Sequence, residues 1–195
     1  MVYSLFTCAR NWTDKGVYTI LIFFLPRSGF VQQVGITKMR TFGLASISDL
    51  PELVNVAKSA FIDDERFKPQ EAIAGGPPGH DKLERHRQWL DSLIYFKCED
   101  NGSIVGTCTV EINGHEAKIN GIHVVSESMG QGIGSYMLRE IQSKMPHVTK
   151  WTLITPDYAT RNHHFYEKNG FLLKQKGDVE PDLGFGFYTF EKNAL

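Results

Sequence analysis

From Arg40 onward the apolar positions recur with either a strand-like or a helix-like period, separated by turn residues. Arg40 to Ala45 reads as a first strand. Asp49-Leu50-Pro51-Glu52 then predicts a helix start, with Asp49 as N-cap, Pro51 in the first turn and Glu52 completing a capping box. Leu50, Leu53, Val54, Ala57 and Phe61 follow at spacings that share one helix face. Phe67 to His80 carries AGGPPGH, and consecutive Gly and Pro residues exclude a helix or a central strand there. Asp81 to Leu93 is helical again, with Leu83, His86, Leu90 and Leu93 along one side. Ile94 to Glu99, Ser103 to Ile112 and Ala117 to Val125 form a meander. Asn101-Gly102 and Asn113-Gly114 join its strands as type I′ turns, whose central residues both need φ > 0.

The second half alternates strands and helices. Ile133, Met137, Leu138, Ile141 and Met145 stripe a helix, and Trp151 to Thr155 forms a strand. Arg161 to Asn169 forms a helix closed by Gly170, and Phe171 to Lys176 a strand. A polar Gly/Asp/Pro loop precedes a last strand over Phe185 to Glu191. The order βααβββαβαββ predicts an α/β fold, a mixed sheet with helices on both faces. Residues 1–38 do not fit it. Val17 to Leu25 is an apolar run about half the ~20 residues that span a bilayer, and no small-residue cleavage site follows it. The expectation is an N-terminal extension over 1–38, loosely packed or disordered, and a domain over 39–195, with Met39 a candidate translation start.

Between the meander and the striped helix lies the segment KINGIHVVSESMGQGIGSYM, a strand that empties through Gly130, Gly132 and Gly134 into a helix N-terminus. Unpaired N–H groups and the helix dipole attract an anion there, and glycines let a phosphate approach. A P-loop needs a Lys after its glycines, and none is present. A dinucleotide loop needs a glycine where Ser135 stands. The remaining pattern resembles the pyrophosphate loop [Q/R]-x-x-G-x-[G/A] of the GNAT superfamily of acyl-CoA N-acyltransferases, with Gly132 and Gly134 as its glycines and Met129 departing from its first position. About 30 residues on, FYEKNGF is similar to that family's second signature, a helix Tyr followed by a polar run, Gly and an aromatic.

The resemblance spans Arg40 to Leu195. It implies a mostly antiparallel sheet of six to seven strands, and acetyl-CoA as acyl-donor cosubstrate. It places the pyrophosphate on Met129, Gly130, Gln131, Gly132, Ile133, Gly134 and Ser135, with Met129 acting through its backbone N–H. It places the pantetheine arm on the backbone of Ile122, His123 and Val124, where a splayed strand leaves groups free, and the Val124 N–H on the oxyanion. Tyr166 becomes the proton donor to the departing thiolate. Asn162, one helical turn earlier, either contacts the pantetheine arm or caps the helix. Ala159 stands where the family often carries Asn.

Composition adds exclusions. A formal charge of −1 over 195 residues gives no general attraction to nucleic acid or to anionic membrane. Cys8, Cys98 and Cys108 lack C-x-x-C spacing and read as reduced thiols of a cytoplasmic protein, and no His spacing suggests a metal. The leading reading is an acetyl-CoA-dependent N-acetyltransferase acting on a primary amine, either a small molecule or a peptide, with a homodimer left open. The alternative is an acyl-CoA-binding or sensing domain without turnover, motivated by Met129 and Ala159. Glu111, Glu116, Asn120, His123 and His80 are polar residues that could face the cleft, and sequence alone assigns none of them as general base.

Overall fold

In a computed structural model, the structure describes residues 5–12, 17–24, 32–70, 72 and 76–194, with side chains from Arg40 onward. The chain divides into two compact units, Met1–Thr41 with Glu99–Ser103, and Phe42–Cys98 with Ile104–Leu195. The smaller unit contains β1 (Leu5–Trp12), β2 (Val17–Phe24) and most of β3 (Gln32–Leu44). They pair antiparallel, with Val17 opposite Met39 and Phe24 opposite Gln32. The reading of 1–38 as loosely packed or disordered, and that of Cys8, rest on side chains outside the described residues. Within this unit Arg40 donates to Asp100 at 3.3 Å, both side chains buried. Asn101 and Gly102 have φ of 55° and 82°, the two positive values that a type I′ turn requires.

In the larger unit β3 continues into a mixed sheet completed by β4 (Ile94–Asp100), β5 (Ser103–Asn113), β6 (Glu116–Val124), β7 (Lys150–Pro156), β8 (Leu172–Lys176) and β9 (Phe187–Asn193). The order is β3-β4-β5-β6-β7-β9-β8, seven strands, within the six to seven that the family resemblance implies. β6 and β7 pair parallel, while β5–β6, β7–β9 and β8–β9 pair antiparallel. The helices are α1 (Leu50–Asp64), α2 (Leu83–Ser92), α3 (Ile133–Lys144) and α4 (Thr160–Lys168). Alternation along β4 separates the two faces. Tyr95 packs with Leu50, Leu53 and Val56 of α1, whereas Cys98 packs with Ile133 and Met137 of α3. The expected α3 stripe is buried in full, and Trp151, Phe171 and Phe190 seal the core beneath it. No helix among the described residues is long and apolar enough to cross a membrane.

Three local expectations are corrected. Asp49 does not cap α1 through its side chain; its carboxylate turns back to accept from the Ser46 N–H at 2.7 Å, capping one turn earlier. Glu52 instead accepts from the Ile104 N–H at 3.2 Å, which ties α1 to β5. The second meander turn is shifted by one residue. Asn113 pairs with Glu116, so Gly114 and His115 are central, and only Gly114 has positive φ, the type II′ pattern. Leu83 is 47% exposed and leaves the buried side of α2 to His86. The element ends differ as well: β3 begins before Arg40 and β9 begins at Phe187.

Candidate active site

The site begins with a break in the sheet. β6 pairs with β7 only from Glu116–Lys150 to Ile119–Leu153, and beyond Ile119 that ladder ends. Immediately after, Thr109 pairs with Gly121 while Val110 pairs with Ile119, so Asn120 is an extra residue, a bulge that bends β6. The Val125 N–H donates to the Val105 carbonyl at 3.0 Å. Because consecutive residues of a strand point their backbone groups to opposite sides, His123 faces β5 in the same way, and Ile122 and Val124 face the gap.

α3 starts beside this gap. Gly132 is its N-cap at φ 76°, and the first helical bond runs from Tyr136 N–H to the Gly132 carbonyl at 3.0 Å. The N–H groups of Gly132, Ile133, Gly134 and Ser135 therefore have no acceptor within the helix, and they point to one end. Gly130, at φ 75°, continues the turn before them. Gly134 has a second reason to be glycine, since a Cβ there would lie 2.9 Å from the Phe165 ring. α3 and α4 touch at that point.

A cavity of about 420 Å³ joins these features. Ile122, His123, Val124, Met129, Gly130, Gly132, Ile133, Gly134, Ser135, Asn162 and Tyr166 all line it. Gln131 does not; its side-chain amide donates to the Glu127 carbonyl at 3.1 Å. Met129 lines the cavity, but its N–H is used by the Ser126 carbonyl at 3.2 Å, so the backbone donor expected of it is engaged. The N-cap of α4 is Ala159 rather than Asn162, and Asn162 lines the cavity one turn before Tyr166.

Tyr166 is 8% exposed, its ring held among Phe165, Phe171 and Phe190 at centroid distances of 5.1, 6.0 and 5.9 Å. Among the described residues its hydroxyl has no hydrogen-bond partner, and it is not among the sealed polar atoms. Burial pushes its pKa up, and Cys108 and Asp64 push the same way. The phenol stays protonated at neutral pH, as a proton donor must. His123 is shifted oppositely, to about 4, by burial first and then by His86 and His80, so it is neutral at pH 7.

Sequence reasoning missed the wall that α1 supplies. Ala60 and Asp64 line the cavity from α1, and Arg161 lines it from α4. The Arg161 guanidinium bridges Asp63 and Asp64, and lies 5.2 Å from the Phe67 ring. One turn earlier Ser59 accepts from the Ser126 N–H at 3.0 Å, and Ser126 Oγ donates to the Ser59 carbonyl at 2.9 Å. α1 is thus tied both to the loop ahead of α3 and to the start of α4. Among the described residues no group of three or more His, Cys, Asp or Glu stands together as a metal site would.

Comparison with known proteins decides the family. The profile described as "Acetyltransferase (GNAT) family" matches residues 59–171, more than half of the chain, from the last turns of α1 to the end of FYEKNGF. The chain belongs to the GNAT acetyltransferase family. It is an acyltransferase. Uncharacterized protein YrkN of Bacillus subtilis (strain 168) is 28% identical over 133 residues, 67% of this chain and 71% of that protein. PaiA N-acetyltransferase from Thermoplasma acidophilum, solved in complex with coenzyme A, superposes with a TM-score of 0.66 at 17% identity, over 80% of this chain and 99% of its own. The ribosomal-protein-S18-alanine N-acetyltransferase from Escherichia coli superposes with a TM-score of 0.63 at 16% identity, over 80% of this chain and 94% of its own. At such identities the likeness shows the GNAT fold.

Proposed function

We propose that the protein transfers an acetyl group from acetyl-CoA to a primary amine by direct attack, with Tyr166 protonating the departing thiolate. One arrangement carries this reading: residues of the β6–β7 gap, of the N-terminus of α3 and Tyr166 all line one cavity. The pyrophosphate fits the N–H groups of Gly132 to Ser135, where an anion meets the helix dipole and no side chain intervenes at either glycine. The pantetheine amides fit the outward backbone groups of Ile122 and Val124, as an added strand would. The Val124 N–H then lies where the thioester oxygen gains charge. The amine nitrogen forms its bond to the acetyl carbon, the carbon–sulfur bond breaks, and sulfur leaves with the electron pair. Tyr166 supplies the proton that makes it a thiol, the nitrogen gives up one of its own to become the amide, and Tyr166 regains its proton from solvent.

The test is calorimetry with acetyl-CoA, followed by release of free CoA with a panel of primary amines and peptides. Saturable binding and amine-dependent release are expected. Binding with no release for any amine would favour a sensing domain, and no binding would end the cofactor assignment.

We also propose that 39–195 is a self-sufficient acetyltransferase domain, with 1–38 an extension. Every residue lining the cavity lies at Ala60 or later. Phe42 stacks on Phe96 at 5.0 Å, and the Ala45 N–H donates to the Tyr95 carbonyl at 2.8 Å, so residues after Met39 hold this strand on β4. A chain beginning at Met39 should fold and bind acetyl-CoA with the parent's affinity. An insoluble product, or circular dichroism of an unfolded chain, would assign 1–38 to the core.

A further inference from the structure

Behind the cavity, on the α1 and α2 side of the sheet, a chain of polar side chains runs through a buried layer and ends on His123. Its far end fixes its direction. His86 is fully buried, and its Nε2 lies 2.8 Å from the His80 carbonyl, which can only accept. Nε2 therefore carries the proton. Burial lowers the pKa of His86, which keeps a second proton off Nδ1. The Tyr95 hydroxyl, 2.8 Å from Nδ1, must then donate to it. With its own proton committed, the Tyr95 oxygen can only accept, and the Thr107 hydroxyl on the neighbouring strand is the donor beside it. A Thr107 hydroxyl that donates to Tyr95 is left to accept, and the neighbour of its Oγ1 is His123 Nδ1 at 3.4 Å. Thr107 and His123 are register partners on β5 and β6, so their side chains share this face of the sheet.

Each link passes one constraint to the next, and the last falls on the His123 ring. If Nδ1 donates to Thr107, Nε2 carries a bare lone pair. Gly121 keeps that edge of the ring open: a Cβ there would sit 2.7 Å from Cε1 and 3.3 Å from Nε2. Phe61 covers the ring from α1 at 4.9 Å, and His123 lines the cavity together with Tyr166. Its backbone faces β5, so within this cavity His123 has its side chain to offer.

We propose that His123 is the catalytic base of the acetyl transfer, its Nε2 held unprotonated by the Thr107–Tyr95–His86 chain to take the proton released by the attacking amine. This rests on the acetyltransferase reading above. As the carbon–nitrogen bond forms, nitrogen becomes cationic and its protons strongly acidic, so a weak base suffices. One N–H proton passes to Nε2, the acetyl carbon–sulfur bond breaks, and the thiolate takes the Tyr166 proton. His123 then returns its proton to solvent and Tyr166 recovers one, which leaves amide and thiol as net products. His80, His86 and Tyr95 are the titratable groups facing His123 on its own side, and Asp64, Arg161, His164, Tyr166 and Lys168 share the cavity, with His164 82% exposed beside Glu167. Asp64 is engaged by Arg161, and Lys58 of α1 borders the hollow beside His80. No carboxylate other than Asp64 lines the cavity among the described residues.

Two measurements on the full chain test this. Imidazole nitrogen NMR across about pH 5.5 to 8, the window in which an unperturbed His titrates, should find His123 neutral with its proton on Nδ1 throughout. Thr107→Ser should keep that tautomer and Thr107→Val should lose it, a contrast that ties the tautomer to the Thr107 hydroxyl, while the turnover of His123→Gln separates a base from a structural residue. A proton on Nε2 in the parent, or an imidazolium midpoint inside the window, overturns the proposal. In the second, acetyl-CoA turnover is followed with benzylamine and with hydroxylamine as acceptors. His123→Gln should lower kcat by about 10²–10⁴-fold, with acetyl-CoA affinity unchanged by calorimetry. Turnover by the parent with an equally fast His123→Gln variant removes His123 alone. A parent that releases no CoA with these two acceptors or with any amine or peptide of the panel above fails the acetyltransferase reading, and the His123 assignment with it. The parent's tautomer is read without any substitution, so a misfolded variant leaves that arm decisive.

Discussion

Tyr166→Phe should lower kcat for acetyl transfer by about 10²-fold while acetyl-CoA affinity and fold stay close to the parent's. General acid assistance spans about 10²–10⁴-fold, and acidity places this case at the low end. A thiol has a pKa of about 8.5, and a phenol starts at about 10. Burial raises Tyr166 further, so its proton moves uphill to the thiolate. Transfer is useful only while sulfur is still partly bonded and its charge still forming, and water can replace part of it. Since the gain arises in the transition state, the loss falls on kcat and kcat/KM together. Phe keeps the ring among Phe165, Phe171 and Phe190. The hydroxyl has no partner among the described residues, so its removal leaves no buried group unpaired, and stability should change by less than about 1 kcal/mol. Stopped-flow detection of free thiol, with calorimetry alongside, checks both halves. Full-speed chemistry in the variant would make Tyr166 a packing residue.

What could be read from the chain followed how local the signal was. The α3 stripe, the Asn101-Gly102 turn and the glycine loop are each written within about a dozen residues, where period and φ preference decide the backbone. All three are present, and the strand–loop–helix at their centre lines the cavity. The second turn slipped by one residue because Gly114 alone satisfies a II′ turn, and Asn113 then has no need of positive φ. Asp49 illustrates a capping group with two choices one turn apart. Both Asp49 and Ser46 are cap formers, and the sequence does not rank them when a short 3-10 turn can precede the helix.

The part that stayed hidden is carried by long-range contacts. Arg161 lies 98 residues from Asp63, and nothing in either segment names the other. The polar chain ending on His123 draws on α2, β4, β5 and β6, so its members are scattered between His80 and His123. His86 could be foreseen as one member of an apolar helix side, but a histidine there reads first as packing. Its partners appear only once Tyr95 and Thr107 stand side by side on neighbouring strands. The bulge at Asn120 is of the same kind, since an extra residue in β6 is defined only against β5.

Replacing Gly132 with Val should weaken acetyl-CoA binding by at least about 10²-fold, since charge-assisted hydrogen bonds contribute about 1.5–3 kcal/mol each and more than one is displaced. Gly132 stands at φ 76° as the N-cap of α3, and a Cβ added to it would meet nothing within 4 Å. That open space is where the pyrophosphate is proposed to lie, so a side chain there excludes the anion without touching the protein. Left-handed backbone costs an L-residue about 1–2 kcal/mol, and a β-branched side chain more than Ala. Part of any loss could therefore come from a shifted loop. Gly132→Ala separates the two effects, because it carries most of the backbone strain and little of the bulk. Calorimetry should rank the affinities as parent, then Ala, then Val, with the step from Ala to Val the larger. Thermal unfolding should show both variants folded, with the penalty confined to the cap. Equal, mild losses in the two would trace the effect to strain, and undiminished affinity in folded Gly132→Val would take the pyrophosphate away from the N-terminus of α3.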